Sequence, residues 1–331
     1  MDLWADAVLI IILAVAIDFT IGELPNAVHP LRWIGCMLMW IDKHIKKRNG
    51  KFTTLMGFVS YLAVVFVFGA IAFLLSAAAK YYLGEIAWII VSAVLIKITF
   101  AVSSFRRHLK PIRKALEEGD TEKAAEKLQM IVSRNTKGMD EGHIVSSCTE
   151  TVSENYSDSV VSPMTYVGIF GLAGGIAFRC ANLMDAMWGY LNDKYRNLGH
   201  FPARLDDVLG YITSRISIIF VTIGAFLLGM NWKAAIPMAL EQHGKTPSPN
   251  SGWPMTAFAG ALGISMEKKD VYVMGKGPMP TVKDMGRCCL LVEVSSIVYI
   301  ILITLPLYMF VGIHVQGCIE NLFIQLFEVF A

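Results

Sequence analysis

The chain alternates between long apolar runs and shorter polar or basic segments. Five runs approach the length needed to cross the roughly 30 Å hydrocarbon core of a bilayer as helices: residues 3–21, 55–79, 86–103, 211–230 and 288–312. A sixth run, residues 160–181, is equally apolar, but Pro163 and four glycines interrupt it. Such a composition is typical of a broken or re-entrant helix around a site. The pattern predicts an all-α polytopic membrane protein with about five to six transmembrane helices.

The polar segments between these runs predict further helices. Residues 104–146 have the pattern of a soluble helical insertion, in which Asp120 is placed to cap a helix with Ala124 and Leu128 on its apolar face. Residues 231–287 are predicted to form a polar connection. After residue 312 the large apolar side chains fall on one helical face, which predicts an amphipathic interfacial helix: Ile319, Leu322, Phe323, Leu326, Phe327 and Phe330. We predict one membrane-embedded domain over residues 1–331.

Composition and charge agree with a membrane protein. Of 331 residues 55% are hydrophobic and only 17% are charged, against about 25% in soluble domains. The net charge of +2 gives no reason to expect a nucleic-acid partner. Lysine and arginine are concentrated in residues 32–51, 104–159 and 231–287, which predicts that these loops face the cytoplasm of a multi-pass protein of the cell membrane. Lys97, inside an apolar run, is expected to extend toward the nearer interface.

The densest polar region lies between residues 146 and 215. Glu150, Glu154 and Asp158 are four apart, and Arg179, Asn182 and Asp185 are three apart, so each series shares a helical face. Polar groups at membrane depth are costly, which makes a functional site the default hypothesis. The alternatives are an ion-pair network that only joins helices, an ion-coupled transporter, and a purely structural membrane partner. The sequence does not decide on which side of the membrane residues 182–207 lie.

The chain lacks the glycine-rich phosphate-binding loops of common nucleotide-binding proteins. Instead, five sequence blocks occur in order: D-F-T-I-G-E-L-P with H-P-L-R-W-I-G (18–35), E-T-V-S-E-N-Y-S-D-S-V-V-S-P (150–163), N-L-M-D-A-M-W-G-Y (182–190), Y-R-N-L-G with A-R-L-D-D (195–207), and P-S-P-N-S-G-W-P with A-G-A-L-G (247–263). With these blocks the chain resembles the adenosylcobinamide-phosphate synthase family of cobalamin biosynthesis over nearly its full length.

The resemblance implies an ATP- and Mg²⁺-dependent enzyme that forms an amide. Its substrates would be the corrinoid adenosylcobyric acid, through a propionate, and aminopropanol phosphate or a related amino-alcohol phosphate. Expected partners are these small molecules, membrane lipid, and either other membrane enzymes of the pathway or further copies of the chain.

The same resemblance, together with the polar pattern, gives three sets of candidate site residues. Those predicted to be catalytic are Glu150, Glu154, Asn155, Asp158, Asn182, Asp185, Asp206 and Asp207. Those predicted to bind substrate are Asp18, Glu23, His29, Arg179, Tyr190, Arg204, Arg215, Ser248, Asn250 and Trp253, with Trp253 as an apolar platform for the corrinoid. The predicted Mg²⁺ ligands are Glu154, Asp158 and Asp185.

Overall fold

The structure is a computed structural model that describes residues 2–23, 25, 27, 29–45 and 50–330. Leu24 of the first sequence block and the basic residues Lys46, Lys47 and Arg48 lie outside the described residues, as does the side chain of Phe330.

Helices account for nearly all of the secondary structure. Four of them are long and apolar enough to cross a membrane, namely Leu3–Thr20, Gly50–Leu83, His200–Leu227 and Val282–Val329. The described part of the chain contains a fifth candidate only if the bent pair Glu85–Thr99 and Ser104–Glu117 counts as one span. The prediction of an all-α polytopic membrane protein is therefore confirmed, with four or five candidate spans.

The chain divides into two compact units. Unit 1 comprises residues 1–101, 162–209 and 301–331, and unit 2 comprises residues 102–161 and 210–300. Helices in unit 1 are α1 (Leu3–Thr20), α2 (Pro30–His44), α3 (Gly50–Ala78), α4 (Glu85–Thr99), α8 (Ser162–Phe170), α9 (Leu172–Trp188), α14 (Leu305–Leu307) and α15 (Ile313–Phe330). Unit 2 contains α5 (Ser104–Glu117), α6 (Thr121–Gln129), α7 (Glu141–Tyr156), α11 (Trp232–Gln242), α12 (Gly252–Leu262), β1 (Ser265–Lys268), β2 (Tyr272–Gly275) and α13 (Val282–Tyr299). Helix α10 (His200–Leu227) runs through the boundary at residue 209.

Two kinds of irregular helix interrupt these elements. Turns of π-helix lie at Ala79–Leu83, Ser157–Val161, Ile300–Thr304 and Tyr308–Gly312, and a 3₁₀ turn lies at His243–Lys245. Because π-turns inside helices often mark functional sites, the turn at Ser157–Val161, directly after α7, is notable: it holds the predicted site residue Asp158.

A core in unit 1 fixes the position of α9, the helix that carries Arg179, Asn182 and Asp185. One side of α9 is apolar and fully covered, and it packs against α2 and α3. The buried residues of this core are Ile34, Leu38, Val64, Cys180, Met184, Trp188 and Leu198. The polar residues of α9 are thereby held on a rigid element.

The predicted break in residues 160–181 is present. Gly171 separates α8 from α9 with φ of 60°, in the left-handed region that favours glycine. A Cβ at this position would lie 2.7 Å from the Gly312 carbonyl oxygen and 2.8 Å from Cβ of Gln316. Glycine is therefore required both for the backbone conformation and for the close approach of two chain segments.

Lys97 does not extend toward an interface. Its side chain is only 6% exposed, and its Nζ lies 2.9 Å from Oδ1 of the fully buried Asp18. Helix α4 ends at Thr99, short of the predicted end at residue 103, and Lys97 Nζ also donates to the Phe100 carbonyl oxygen at 3.3 Å. The expectation for Lys97 was wrong because a lysine and an aspartate from two apolar helices neutralise each other inside unit 1.

The predicted C-terminal helix is present, but its polar side faces inward. Glu320 of α15 is fully buried and accepts hydrogen bonds from Ser76 Oγ at 2.6 Å, Trp88 Nε1 at 2.9 Å and Gln316 Nε2 at 2.9 Å. Leu322 and Leu326 are instead exposed. This arrangement suits a lipid-facing span, because lipid solvates the leucines while Glu320 Oε1 accepts from the three polar groups and Oε2 lies 3.8 Å from Lys80 Nζ.

Residues 231–287, predicted as a polar connection, contain the helices α11 and α12 and the strands β1 and β2. All of α12 except the half-buried Trp253 is buried, and an antiparallel hairpin follows, with Ser265 opposite Gly275 and Lys268 opposite Tyr272. The pattern of α12 was missed because its small residues bury little area each and give no clear amphipathic signal.

Candidate active site

The first group of predicted site residues lies in unit 1, on α9 and the first turns of α10. Arg179 Nη1 donates to Asn182 Oδ1 at 3.2 Å, and Asn182 Nδ2 donates to Asp206 Oδ1 at 3.3 Å. Asp185 lies close enough to Asp206 and to Asp207 for the charges to interact. We call Asn182, Asp185, Asp206 and Asp207 the aspartate cluster. The structure thus brings together four of the residues that the sequence predicted to be catalytic.

The three carboxylates of the aspartate cluster lie near enough to one another for their negative charges to interact unfavourably. Burial, together with the nearby charge of Asp207, raises the pKa of Asp185 to about 6. Arg204 Nη1 lies 3.7 Å from Asp207 Oδ2, but the arginine side chain is 72% exposed, so this ion pair is weak. A site with several carboxylates and few cations favours a proton or a metal ion over an isolated anion.

The N-terminal block reaches the neighbourhood of Arg179. His29 caps α2, and its Nδ1 accepts a hydrogen bond from the Leu31 amide at 3.3 Å. Burial lowers the pKa of His29, Glu23 raises it, and the positive charges of Lys97 and Arg179 lower it again. His29 therefore lies within electrostatic range of both cations. Through Lys97, the buried Asp18 belongs to the same polar region of unit 1.

A second group lies in unit 2, on α7. Glu150 is 1% exposed and receives three kinds of donor: Arg134 Nη2 at 2.9 Å, Tyr272 Oη at 2.8 Å and Ser146 Oγ at 3.1 Å. Both carboxylate oxygens are thus occupied. Glu150 therefore joins α7 to the hairpin strand β2 and to the segment before α7.

The other residues of the α7 block have different surroundings. Burial raises the pKa of Glu154, and the charge of Glu150 raises it further, so the two acids interact as their spacing predicted. We call Glu150 and Glu154 the glutamate pair. Asn155 Nδ2 donates to the Thr151 carbonyl oxygen at 2.8 Å in its own helix. Asp158 lies in the wider π-helical turn, which shifts it from the four-residue repeat of the other two acids.

The proline-rich loop surrounds Arg215 in unit 2. The Arg215 guanidinium lies 3.5 Å from the ring centre of Tyr211 and 4.9 Å from that of Trp253, and it donates to Asn250 Oδ1 at 3.5 Å. Trp253 also stacks on His243, with ring centres 3.9 Å apart. Ser248 Oγ accepts from the Asn250 and Ser251 amides, so it stabilises the loop, and these two bonds do not use its own hydroxyl proton. Four predicted substrate-binding residues are thus brought together: Arg215, Ser248, Asn250 and Trp253.

Comparison with known proteins decides the family. The family model described as CobD/Cbib protein matches residues 11–310. The chain belongs to the CobD/Cbib family. It is 37% identical over 266 residues to a probable cobalamin biosynthesis protein CobD of Methanothermobacter thermautotrophicus, covering 80% of this chain and 86% of the relative.

Further members of the CobD/Cbib family match over similar lengths. A probable cobalamin biosynthesis protein CobD of Methanocaldococcus jannaschii is 35% identical over 304 residues, covering 90% and 97% of the two chains. The cobalamin biosynthesis protein CobD of Dehalococcoides mccartyi is 34% identical over 286 residues, covering 86% and 92%. No solved structure shows a significant match. The resemblance seen in the sequence is confirmed at the level of the family, and the chain is a cobalamin biosynthesis protein.

The side chains that are present limit how this protein could bind a metal ion. Within the part of the chain that the structure describes, no three histidine, cysteine, aspartate or glutamate side chains form a group that could hold a metal ion. Mg²⁺ usually takes only one or two carboxylates and completes its shell with water and phosphate oxygens. The aspartate cluster fits that requirement through Asp185 and its acidic neighbours. The set Glu154, Asp158 and Asp185 stays a prediction.

Other residues of the sites were missed or lie apart from them. Arg134 and Tyr272 hold Glu150, yet neither was singled out, because a tyrosine 122 positions away in an unpredicted strand gives no local signal. Tyr190 is about half exposed in the connection after α9. Glu23 is exposed and takes part only through its charge near His29.

Proposed function

We propose that the chain catalyses ATP-dependent attachment of aminopropanol phosphate, or a related amino-alcohol phosphate, to the propionate of adenosylcobyric acid. The product is adenosylcobinamide phosphate, and the enzyme is a ligase in the cell membrane. The observation that carries the proposal is the aspartate cluster with its neighbour Arg179. Arg179, Asn182 and Asp206 are hydrogen-bonded in series, and Asp185 of the same cluster has a raised pKa. Membership of the CobD/Cbib family supplies the pathway.

The proposed reaction needs an activated carboxylate, because a carboxylate is a poor electrophile and an oxide ion cannot leave. A propionate oxygen attacks the γ-phosphorus of ATP and ADP leaves, which gives an acyl phosphate. The amine nitrogen of the second substrate then attacks the acyl carbon, inorganic phosphate leaves, and the nitrogen loses a proton. Phosphoryl transfer asks the protein mainly for positioning and for charge neutralisation.

The residues of unit 1 can perform both tasks. Arg179 is held by Asn182 on the rigid helix α9, and a guanidinium of fixed orientation suits a phosphate or a carboxylate. Magnesium, when bound with the nucleotide, supplies positive charge to the aspartate cluster. Asp185 has a pKa of about 6, so near neutral pH it can release its proton when the metal ion binds.

The test is ATP turnover by the full chain purified in detergent or in nanodiscs. We expect phosphate release only when adenosylcobyric acid, the amino-alcohol phosphate and Mg²⁺ are all present, with one amide formed for each ATP consumed. ATP hydrolysis that does not depend on both organic substrates, or amide formation without ATP, would refute the proposal. Ion-driven uptake of a solute into vesicles without ATP use would favour the transporter instead.

A further inference from the structure

A cleft lies entirely within unit 2, between the segment that precedes α7 and the turn of the β1–β2 hairpin. Its volume is about 360 Å³, near the lower end of the range for small-molecule sites. Four cationic side chains line it: Arg134, Lys137, Lys268 and Lys269. None of the three lysines has a role in the chemistry described above.

The walls of the cleft are fixed by buried contacts. Arg134 is held by Glu150 at 2.9 Å, and Glu150 also accepts from Tyr272 of the hairpin. Ser146 Oγ, at the start of α7, accepts from the Glu267 amide at 2.7 Å. The hairpin is therefore fastened to α7 at two points. A pre-organised cleft loses little conformational entropy when a ligand binds.

Among the described residues, no carboxylate lies within ion-pair distance of Lys137, Lys268 or Lys269. Lys268 is nevertheless near enough to Glu154 for its charge to lower the pKa of that acid. Arg134, by contrast, is paired with Glu150. The lysines thus concentrate positive charge in the lining of the cleft, which attracts an anion.

The cleft also has an acidic side. His143 lies between two carboxylates, with Nδ1 2.8 Å from Asp140 Oδ2 and Nε2 3.8 Å from Glu267 Oε1. Asp140 contacts His143 through both carboxylate oxygens, but its side chain is 68% exposed, so a ligand can still approach it. The cleft therefore presents lysines and carboxylates within one small volume.

We propose that this cleft binds the phosphate group of a small phosphorylated amine, with Lys137, Lys268 and Lys269 on the phosphate and the Asp140 side toward the ammonium. An amino-alcohol phosphate carries both charges and is small enough for the cleft. A nucleoside triphosphate is larger, and it would place only negative charge against Asp140 and Glu267. Assigning the ligand as the enzyme's own substrate rests on the proposed function; the recognition of a phosphorylated amine does not.

Calorimetric titration of the detergent-solubilised full chain tests the proposal, with O-phosphoethanolamine, ethanolamine and ATP as probes in phosphate-free buffer. We expect O-phosphoethanolamine to bind and ethanolamine not to bind. The double substitution Lys268→Gln and Lys269→Gln should weaken the binding of O-phosphoethanolamine about tenfold while leaving that of ATP within about twofold. Lys127→Gln is the matched control, because this lysine is exposed on α6 outside the cleft.

Three outcomes would overturn the proposal. Unchanged affinity for O-phosphoethanolamine in the double variant would place the phosphate elsewhere. An equal loss in Lys127→Gln would mean a general charge effect. A selective loss of ATP would make the cleft a nucleotide site. Failure of the proposed function would give a different result. O-phosphoethanolamine would still bind, and the double variant would still weaken its binding, but the protein would form no amide.

Discussion

The aspartate cluster and the glutamate pair begin from the same sequence pattern and reach opposite electrostatic states. In both, acids recur at helical spacing in an apolar chain. Glu150 receives donors from an arginine, a tyrosine and a serine, which together occupy both of its oxygens. Asp185 instead lies beside a second acid that raises its pKa. The spacing of acids in the sequence therefore locates buried acids. Their hydrogen-bond and charge partners in the folded chain determine whether an acid stabilises the fold or remains available for a ligand.

Substitutions of Glu150 and of Asp185 should therefore have different consequences. Removing a satisfied acid leaves its partners buried and unpaired, so the cost falls on stability. Removing an acid from a cluster of mutually repelling acids relieves repulsion, so the cost falls on function. Activity and thermal stability measured together on the same variants separate the two.

The largest expected effect is on turnover. Asp185→Asn keeps the size of the side chain and removes the charge that we assign to the Mg²⁺–nucleotide site. We expect kcat to fall about 10²–10³-fold, the usual cost of one lost electrostatic contact in a transition state, with an unchanged or slightly higher apparent Tm. The exposed Asp193 in the same unit provides the control Asp193→Asn, which should keep full activity. Retention of more than about a tenth of the activity by Asp185→Asn would make the aspartate cluster structural.

The next effect is on stability. Glu150→Gln leaves the Arg134 guanidinium without its counter-ion, and breaking such a buried pair typically costs about 3–5 kcal/mol. We expect a clear fall in apparent Tm, measured by thermal unfolding in detergent. Glu154→Gln, one turn along α7, is the matched control: it removes a neighbouring like charge, so its Tm should not fall. If Glu150→Gln unfolds like the wild type and yet loses turnover, Glu150 belongs to the active site.

The sequence predicted the fold class and the members of the aspartate cluster, because both depend on local regularities. Apolar length predicts spans, and a three-residue spacing on α9 places Arg179 and Asn182 in contact. The blocks of the family resemblance supplied Asp206 on another helix. The break at Gly171 was predicted from glycine density, although only the structure shows the close approach to Gly312 that requires it.

What the sequence did not predict depends on distant partners. Asp18 and Lys97 are 79 positions apart, and each alone looks like a costly charge in an apolar helix. The role of Glu150 follows from Tyr272, which is 122 positions away. Helix α12 was missed because a run of small residues between prolines and glycines resembles a loop. Charge pairing and close packing are properties of the folded chain, and a pattern in one segment carries little information about them.

A smaller effect is expected at the loop around Arg215. Like Glu150, the side chains of this loop are held by contacts within the protein. Trp253→Ala removes a ring that stacks on His243 and lies beside the Arg215 guanidinium. We expect the KM for the corrinoid to rise about three- to tenfold, in line with the value of one aromatic contact, while the KM for ATP stays nearly constant. Trp232→Ala is the control, because the Trp232 ring packs edge-on against Phe226, which is not part of this loop. A rise in the KM for ATP alone would assign the loop and Arg215 to the nucleotide.

The smallest effect is a pH dependence of stability, and it tests the electrostatic difference directly. Asp185 has a pKa of about 6 in the folded chain against 3.8 for an ordinary aspartate. The folded state therefore binds this proton more tightly than the unfolded state does, so stability falls as pH rises from about 4 through 6 and the penalty is complete above that range. The apparent Tm of the wild type relative to Asp185→Asn should thus rise by a few degrees between about pH 7.5 and pH 5. Mg²⁺ with ATP should shrink the difference, because a bound cation replaces the proton in compensating the charge. Parallel Tm–pH curves for the two proteins would show that Asp185 is already neutralised in the folded state, and the contrast with Glu150 would then disappear.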